Sequence, residues 1–310
     1  MLTFALTALA ILAFAGNSLL TRAALVDGAI DPYAFTGLRL ATGAAVLMLI
    51  VQWRGILAAG PQARAALTMH WPDALPWRNG GLSGWRDAMP GRADLPGIVA
   101  LFAYAVAFTV AYLALGAATG ALVLFATVQA TMVGVEMWRG HRPAAREWIG
   151  LLMALAGLVW LLAPGLATPA SWTFAWAFAS MVAAGVAWGA YTLIGRGSTQ
   201  PLAQTARAFV GTAPAALLLI AIGANGTWTA QGAALAAASG VITSGLGYAI
   251  WYAVLPRLSA MTAGVSQLLV PAVAALGAAI WLREPLTLTF LAASVLILAG
   301  IAISMKRGGP

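Results

Sequence analysis

Ten apolar stretches, most of them near 20 residues long, follow one another along this 310-residue chain with mainly short polar joints between them. An α-helix needs about 20 consecutive apolar residues to cross the hydrocarbon core of a bilayer. The strands of a membrane barrel would instead alternate polar and apolar residues over about ten positions. Only 8% of the residues are charged and 62% are hydrophobic, whereas soluble domains carry roughly a quarter charged residues. The pattern predicts an all-α polytopic membrane protein.

A window of about 19 residues defines the spans, which cover residues 2–25, 33–53, 95–116, 120–138, 148–163, 172–194, 203–223, 232–255, 261–282 and 287–305. The one long polar segment runs from Arg54 to Asp94 and is rich in proline and glycine, which predicts an irregular loop. Its tryptophans, Trp71, Trp77 and Trp85, could lie on the membrane surface or form a specific binding site. The first span is expected to be a retained helix and not a signal peptide, because no basic residue precedes it.

The basic residues predict the orientation. With the N-terminus inside, twelve of the sixteen Lys and Arg fall in inner segments, two in outer joints, and Arg39 and Arg207 within spans. Cytoplasmic joints carry this excess in membrane proteins. We therefore expect a multi-pass protein of the cell inner membrane with both termini in the cytoplasm. The net charge of +8 then reflects topology and contact with anionic membrane lipid, and it does not call for nucleic acid.

An internal repeat divides the chain. Pro32, Thr36 and Arg39 are matched by Pro201, Thr205 and Arg207, 169 positions later for the first two pairs. Later matches have an offset of 143, and an insertion in the Arg54 to Asp94 loop explains the difference. Five helices per half is an odd number, so the second half must insert with the opposite orientation. This predicts ten transmembrane helices as two inverted five-helix repeats, residues 1–163 and 171–305, around a central cavity.

Several motifs in the second half carry a family resemblance. They are Gly247 to Tyr252 (GYAIWY), Leu258 to Ala260 (LSA), Gln267 to Pro271 (QLLVP) and Leu282 to Thr287 (LREPLT). This pattern resembles the second repeat of EamA-type transporters of the drug/metabolite transporter superfamily. The first half is a weaker match: the Glu-Pro-Leu-Thr tail is replaced around His141 to Pro143, although Leu155 to Gly157 keeps the glycine pattern.

The resemblance implies ten helices and export of small metabolites, as in YddG-like exporters of aromatic amino acids. Proton-coupled drug transporters that are similar to this chain use a membrane-embedded Glu in the first helix. Asn17 is the corresponding polar residue here, so the resemblance disfavours proton exchange at a central carboxylate.

Polar residues within spans are costly in hydrocarbon, so they are expected to face a cavity or a partner helix. Asn17, Gln129 and Gln267 are the amide candidates for substrate binding; an interhelical hydrogen bond or simple packing is the alternative for each. Gly16 and Pro271 are candidate hinges, because glycine permits close approach and proline removes a backbone donor.

Aromatic residues repeat at helical spacing on the third and eighth spans, and a pair lies on the sixth. The candidates for a substrate-stacking cavity are Tyr104, Phe108, Trp188, Tyr191, Tyr248 and Trp251. Packing or an interfacial belt is the alternative. Arg39 and Arg207 are expected to extend to the interface, with capture of a carboxylate as the alternative. Glu136 is expected to form a structural ion pair near the cytoplasmic end, or else to couple protons.

These features favour a secondary transporter that exports a small-molecule substrate, with amino acids, aromatic ones included, as the leading class. A lipid flippase or a non-transporting scaffold is the alternative, and a homodimer is left open. An enzyme is disfavoured because the chain has no Cys, its histidines His70 and His141 lie in loops, and no two carboxylates share a span. No cofactor, catalytic residue or metal site is expected.

Overall fold

A computed structural model of the chain describes residues 2–58, 88–140, 145–166, 171–195, 198–254, 257, 266–267 and 269–305. These residues form ten helices, which are α1 (Leu2–Val26), α2 (Pro32–Ala58), α3 (Leu95–Ala111), α4 (Ala117–Trp138), α5 (Ala145–Leu166), α6 (Ser171–Gly195), α7 (Pro201–Ile222), α8 (Ala230–Val254), α9 (Leu269–Trp281) and α10 (Leu288–Met305). A single antiparallel bridge between Ile30 and Trp228 is the only β-type pairing among the described residues.

Each of these helices overlaps one predicted span, and residues 261–265 and 268 of the ninth span lie outside the described ranges. Seven of the helices are long and apolar enough to cross a membrane, and the apolar parts of α5, α9 and α10 are shorter. The prediction of an all-α polytopic membrane protein is confirmed.

The distribution of polar side chains is that of a protein solvated by lipid. Large apolar side chains such as Phe4, Trp138 and Val295 are more than half exposed. Thr21, Arg39 and many other polar side chains are buried instead. Exposing an apolar side chain to lipid tails costs no free energy, whereas a polar group in the bilayer needs a hydrogen-bonding partner inside the bundle.

Four long contacts join the first five helices to the last five: α2 packs along α7, α5 along α10, α3 along α6, and α1 along α8. Small residues allow this close approach. A Cβ at Gly37 of α2 would press on Ile220 of α7, and one at Gly157 of α5 would press on Ile297 of α10. The interior of the bundle is therefore built between the halves, and this is where the site lies.

Helix α8 contains a wide turn, because Ser239–Leu246 is a π-helix between two α-helical parts. Gly240 lies in this segment against α2, where an added Cβ would overlap Thr42 and the backbone carbonyl of Arg39. Segments of π-helix are rare and are often found at functional sites.

Some predictions concern residues that are not described. They are Trp71, Trp77, Trp85, His70, His141, the side chain of Glu136 and the repeat residues 258–263. All of them lie outside the ranges given above except Glu136, which belongs to α4 and whose side chain alone is not described.

Candidate functional site

Asn17 connects three helices at the centre of the bundle. Its Nδ2 donates to the hydroxyl of Tyr104 on α3 at 3.0 Å. Its Oδ1 accepts from the Ser239 hydroxyl at 2.8 Å, in the π-helical part of α8. The Thr243 hydroxyl in the same segment lies 3.3 Å from this oxygen and donates to the Ser239 carbonyl at 2.6 Å. Both ends of the Asn17 amide are engaged, which fixes its orientation.

Five aromatic rings surround this network, and we call them the aromatic cage: Tyr104, Phe108, Trp188, Tyr191 and Tyr248. The ring of Trp188 is central, with centroid distances of 4.9 Å to Tyr104, 5.3 Å to Tyr191 and 5.4 Å to Tyr248. Phe108 follows Tyr104 by one turn of α3, at 5.2 Å. Rings at these separations attract one another and form a surface suited to a flat ligand.

Arg39 of α2 enters the same cluster. Its side chain is buried, with 2% of the residue exposed. The guanidinium carbon lies 5.2 Å from the ring centroid of Phe108 and 5.7 Å from that of Tyr104, which is within the range of a cation–π contact. Its Nη1 has no hydrogen-bond partner among the described residues. A buried cation therefore faces the cage without a counter-charge from any part of the chain that is described.

The expectation that Arg39 extends to the membrane interface is wrong. Arg39 lies about 10 Å along α2 from Pro32, at a rise of 1.5 Å per residue, and this helix packs against both α7 and α8. Thr36, which is buried, and Gly43, close to Phe209, lie on the same side of α2 as Arg39. Small neighbours three and four residues away mark a helix face that packs on protein, and this signal could have placed Arg39 inside.

The structure brings six of the nine predicted substrate-binding residues together: Asn17 and the five of the aromatic cage. Trp251 is instead buried in a separate small cluster with Ala10 and Val254. Three residues turn a helix through about 300°, so Trp251 points about 60° to one side of Tyr248, and there it packs on α1. Tyr248 reaches Trp188, while Trp251 packs on Phe14 with ring centroids 5.8 Å apart.

The other predicted polar and hinge residues lie around the cage or beyond it. Gln129 on α4 and Gln267 before α9 are half-buried. Gly16 lies beside Thr243, whose methyl would be 3.4 Å from a Cβ on that glycine. Pro271 is buried in α9, four residues after Gln267, and its role as a hinge stays a prediction.

Two ion pairs lie at opposite ends of α3. At the end that carries Tyr112, the Arg22 side chain donates to the Tyr112 carbonyl at 3.0 Å and pairs with Glu284 at 3.1 Å. Glu284 also accepts from the backbone N–H of Ala117 at 2.8 Å. At the other end, Arg207 pairs with Asp94 at 3.0 Å. Each pair joins the first five helices to the last five.

Within the described ranges, no three His, Cys, Asp or Glu side chains come together as a metal site requires. The arrangement instead offers a buried cation, stacked rings and oriented hydroxyls. Groups of these kinds line binding sites for small molecules.

Comparison with known proteins identifies the family. Residues 175–306, which include α7 to α10 and most of α6, match the EamA-like transporter family. The chain is 42% identical over 302 residues to the uncharacterized protein PA1977 of Pseudomonas aeruginosa, covering 97% of this chain and 93% of that protein. A protein of known crystal structure shares the fold with a TM-score of 0.59 and 21% identity, over 97% of this chain and 96% of its own. The resemblance drawn from the motifs of the second half is confirmed, and the chain belongs to the EamA-like family of membrane transporters.

Proposed function

We propose that the protein is a secondary transporter of the cell inner membrane that exports small metabolites, with amino acids, aromatic ones foremost, as substrates. The observation that carries this proposal is the aromatic cage with Asn17 and Arg39 at its side. Its residues come from α1, α2 and α3 of the first half and from α6 and α8 of the second. A site shared by both halves is what alternating access requires, because each side of the membrane is reached when the halves move against each other.

The pattern of helix contacts supports two inverted five-helix repeats, residues 1–163 and 171–305. Adding or subtracting five from each helix number converts the α1–α8 contact into the α6–α3 contact, and both occur. The same operation leaves the α2–α7 and α5–α10 contacts unchanged, and both are extensive. A pseudo-twofold axis that exchanges the two halves would produce this pattern of contacts. The proposed topology has ten transmembrane helices and both termini in the cytoplasm.

The two ion pairs support a mechanism of rocking halves. In this topology Arg22 and Glu284 lie on the outer side, and Asp94 and Arg207 on the inner side. Opening a path to the outside separates the first pair, and opening a path to the inside separates the second. Partly exposed pairs of this kind contribute about 1 kcal/mol or less each, which is weak enough to break during each transport cycle.

Efflux from proteoliposomes tests the proposal. The purified protein is reconstituted, loaded with radiolabelled phenylalanine, tryptophan or serine, and compared with protein-free vesicles. We expect efflux of the aromatic amino acids and its loss in Trp188→Ala and Tyr248→Ala. Trp138→Ala, at an exposed position on the outside of the helix bundle and away from the cage, is the matched control and should keep wild-type efflux. Gln129→Ala and Gln267→Ala extend the test to the two predicted amides.

Efflux equal to that of empty vesicles for every amino acid would refute amino acids as the substrate class. Efflux that survives both cage substitutions would refute the position of the site. Folding is checked in each variant by its elution profile in detergent.

The alternative of a lipid flippase has one observation in its favour. An apolar groove of about 400 Å³ lies between α1, α8 and α9, and Gly16, Thr243 and Trp281 are among its lining residues. A lipid tail could lie there. Thr243, one of the residues that line the groove, lies 3.3 Å from Asn17 Oδ1, so the groove adjoins the Asn17 network. Scrambling of a fluorescent lipid in the same vesicles, without amino-acid efflux, would favour this alternative.

A further inference from the structure

We infer that Arg39 binds the carboxylate of the substrate, so that the recognised class is aromatic carboxylic acids and the amino group is secondary. This inference rests on the proposed function, since it assigns a chemical role within the same site. It also narrows that function, because it states which charged group of an amino acid the protein reads.

The first argument is the missing counter-charge. Charged side chains inside membrane proteins pair with one another or line a substrate pathway. Glu284 pairs with Arg22 and Asp94 with Arg207, while Asp31 accepts from backbone N–H groups at the start of α2. No carboxylate of the described residues pairs with Arg39. The anion that would complete this site is therefore available from a ligand.

The second argument is the geometry around the guanidinium. The rings of Phe108 and Tyr104 lie within 5.2 and 5.7 Å of its central carbon and attract the cation, but rings supply no hydrogen-bond acceptor of carboxylate strength. Nη1 is buried and unpaired. A guanidinium holds its N–H groups in a rigid plane that matches a carboxylate with two parallel hydrogen bonds. One oxyanion would satisfy Nη1 and neutralise the charge together.

The third argument is what the site offers to an ammonium group. Asn17 Oδ1 is a neutral oxygen that already accepts a hydrogen bond from the Ser239 hydroxyl. The described part of the site contains no carboxylate, and an ammonium would be repelled by Arg39. The positive end of an amino acid thus meets only weak acceptors, while its ring meets Trp188 and Tyr248 and its carboxylate meets Arg39.

Three ligands measure the contributions of the carboxylate and the amino group of phenylalanine to binding separately. These are L-phenylalanine, 3-phenylpropanoate, which lacks the amino group, and 2-phenylethylamine, which lacks the carboxylate. Binding to the full-length protein in detergent is measured for each by isothermal titration calorimetry. We expect both carboxylates to bind within about tenfold of each other and the amine to bind at least 100-fold more weakly, because loss of a charge-assisted bidentate contact is worth about two decades in affinity.

Variants assign the effect to Arg39. Arg39→Met should lower the affinity for both carboxylates by at least 100-fold and leave the amine no weaker, since the cationic repulsion is gone. Arg39→Lys keeps the charge and should retain part of the affinity. Arg54→Met, exposed at the far end of the same helix, is the matched control and should bind like wild type.

The outcomes distinguish this inference from the proposed function. Phenylalanine that binds equally to wild type and Arg39→Met would overturn the role of Arg39 and leave a transporter of aromatic amino acids. Binding of 2-phenylethylamine as tight as that of phenylpropanoate would do the same. Arg39-dependent binding of carboxylates without efflux from vesicles would support the inference and refute the proposed transport. Failure of all three ligands to bind wild type would overturn both.

Discussion

Replacing Arg39 with methionine should stabilise the empty protein, although most substitutions at buried positions destabilise. The reason is that Arg39 is buried in the bundle without an anionic partner among the described residues. A methionine of similar length would fill the same space beside Tyr104 and Phe108, and thioethers pack well against aromatic rings.

The expected increase in the free energy of unfolding is the difference between the cost of burying the Arg39 charge and the stabilisation that its ring contacts provide. Burying an unpaired ion costs several kcal/mol even after the surroundings relax. Cation–π contacts return about 2 kcal/mol when the cation is desolvated, and two rings lie within 5.2 and 5.7 Å of Arg39. Replacing Arg39 with methionine should therefore raise the free energy of unfolding by about 1–3 kcal/mol. For a chain of this size, each kcal/mol raises the melting temperature by roughly 2 °C, so the expected rise is about 2–6 °C.

The assay is thermal unfolding in detergent, followed by intrinsic fluorescence from the 13 tryptophans. Unfolding of membrane proteins on heating is often irreversible, so variants are compared at one scan rate. Arg54→Met, at an exposed position, should change the apparent melting temperature little. A fall in the melting temperature of Arg39→Met by several degrees would show that the chain itself compensates the charge, and the reasoning above would be refuted.

Three further predictions concern gating, packing and the polar network. Glu284→Gln removes the outer ion pair and should open the outer side of the bundle. A cysteine placed at Thr21 in this cysteine-free chain should then react several-fold faster with a membrane-impermeant maleimide. Asp94→Asn should not increase that rate, and equal rates in the two variants would contradict the assignment of the Arg22–Glu284 pair to the outer gate. Gly240→Leu should destabilise by about 1–3 kcal/mol through overpacking against α2, and an unchanged melting temperature would show that this contact is loose. Tyr104→Phe, which removes the hydroxyl that accepts from Asn17, should reduce substrate affinity by about fivefold, measured by calorimetry, and an unchanged affinity would place the hydroxyl outside the site.

The sequence was sufficient for the fold class because the bilayer imposes a length and a polarity on each span. The aromatic stripe was also readable, since residues four apart share a helix face, and Tyr104 and Phe108 do contact each other. The choice of Tyr248 over Trp251 for the cage could not be predicted, because it depends on the local helical turn of α8 and on which helix lies opposite.

Arg39 shows why depth alone is an insufficient guide to a charged residue in a span. A long side chain near a helix end can reach water only if its helix face borders lipid or the interface. The face of α2 that carries Arg39 lies against α3, α7 and α8, and helix neighbours of this kind arise from contacts distant in sequence.

The wide turn in α8 is a place where the chain can change length without losing the cage. A π-turn takes up more residues than an α-turn, so removing one residue from Ser239–Leu246 lets that segment become regular α-helix while Tyr248 keeps nearly the same direction. The same deletion in the α-helical part before it, Ala230–Ala238, would instead turn Tyr248 by about 100° and take its ring out of the cage. Relatives that are one residue shorter in Ser239–Leu246 should therefore keep the substrate range of this protein, which a comparison of transport within the family would test.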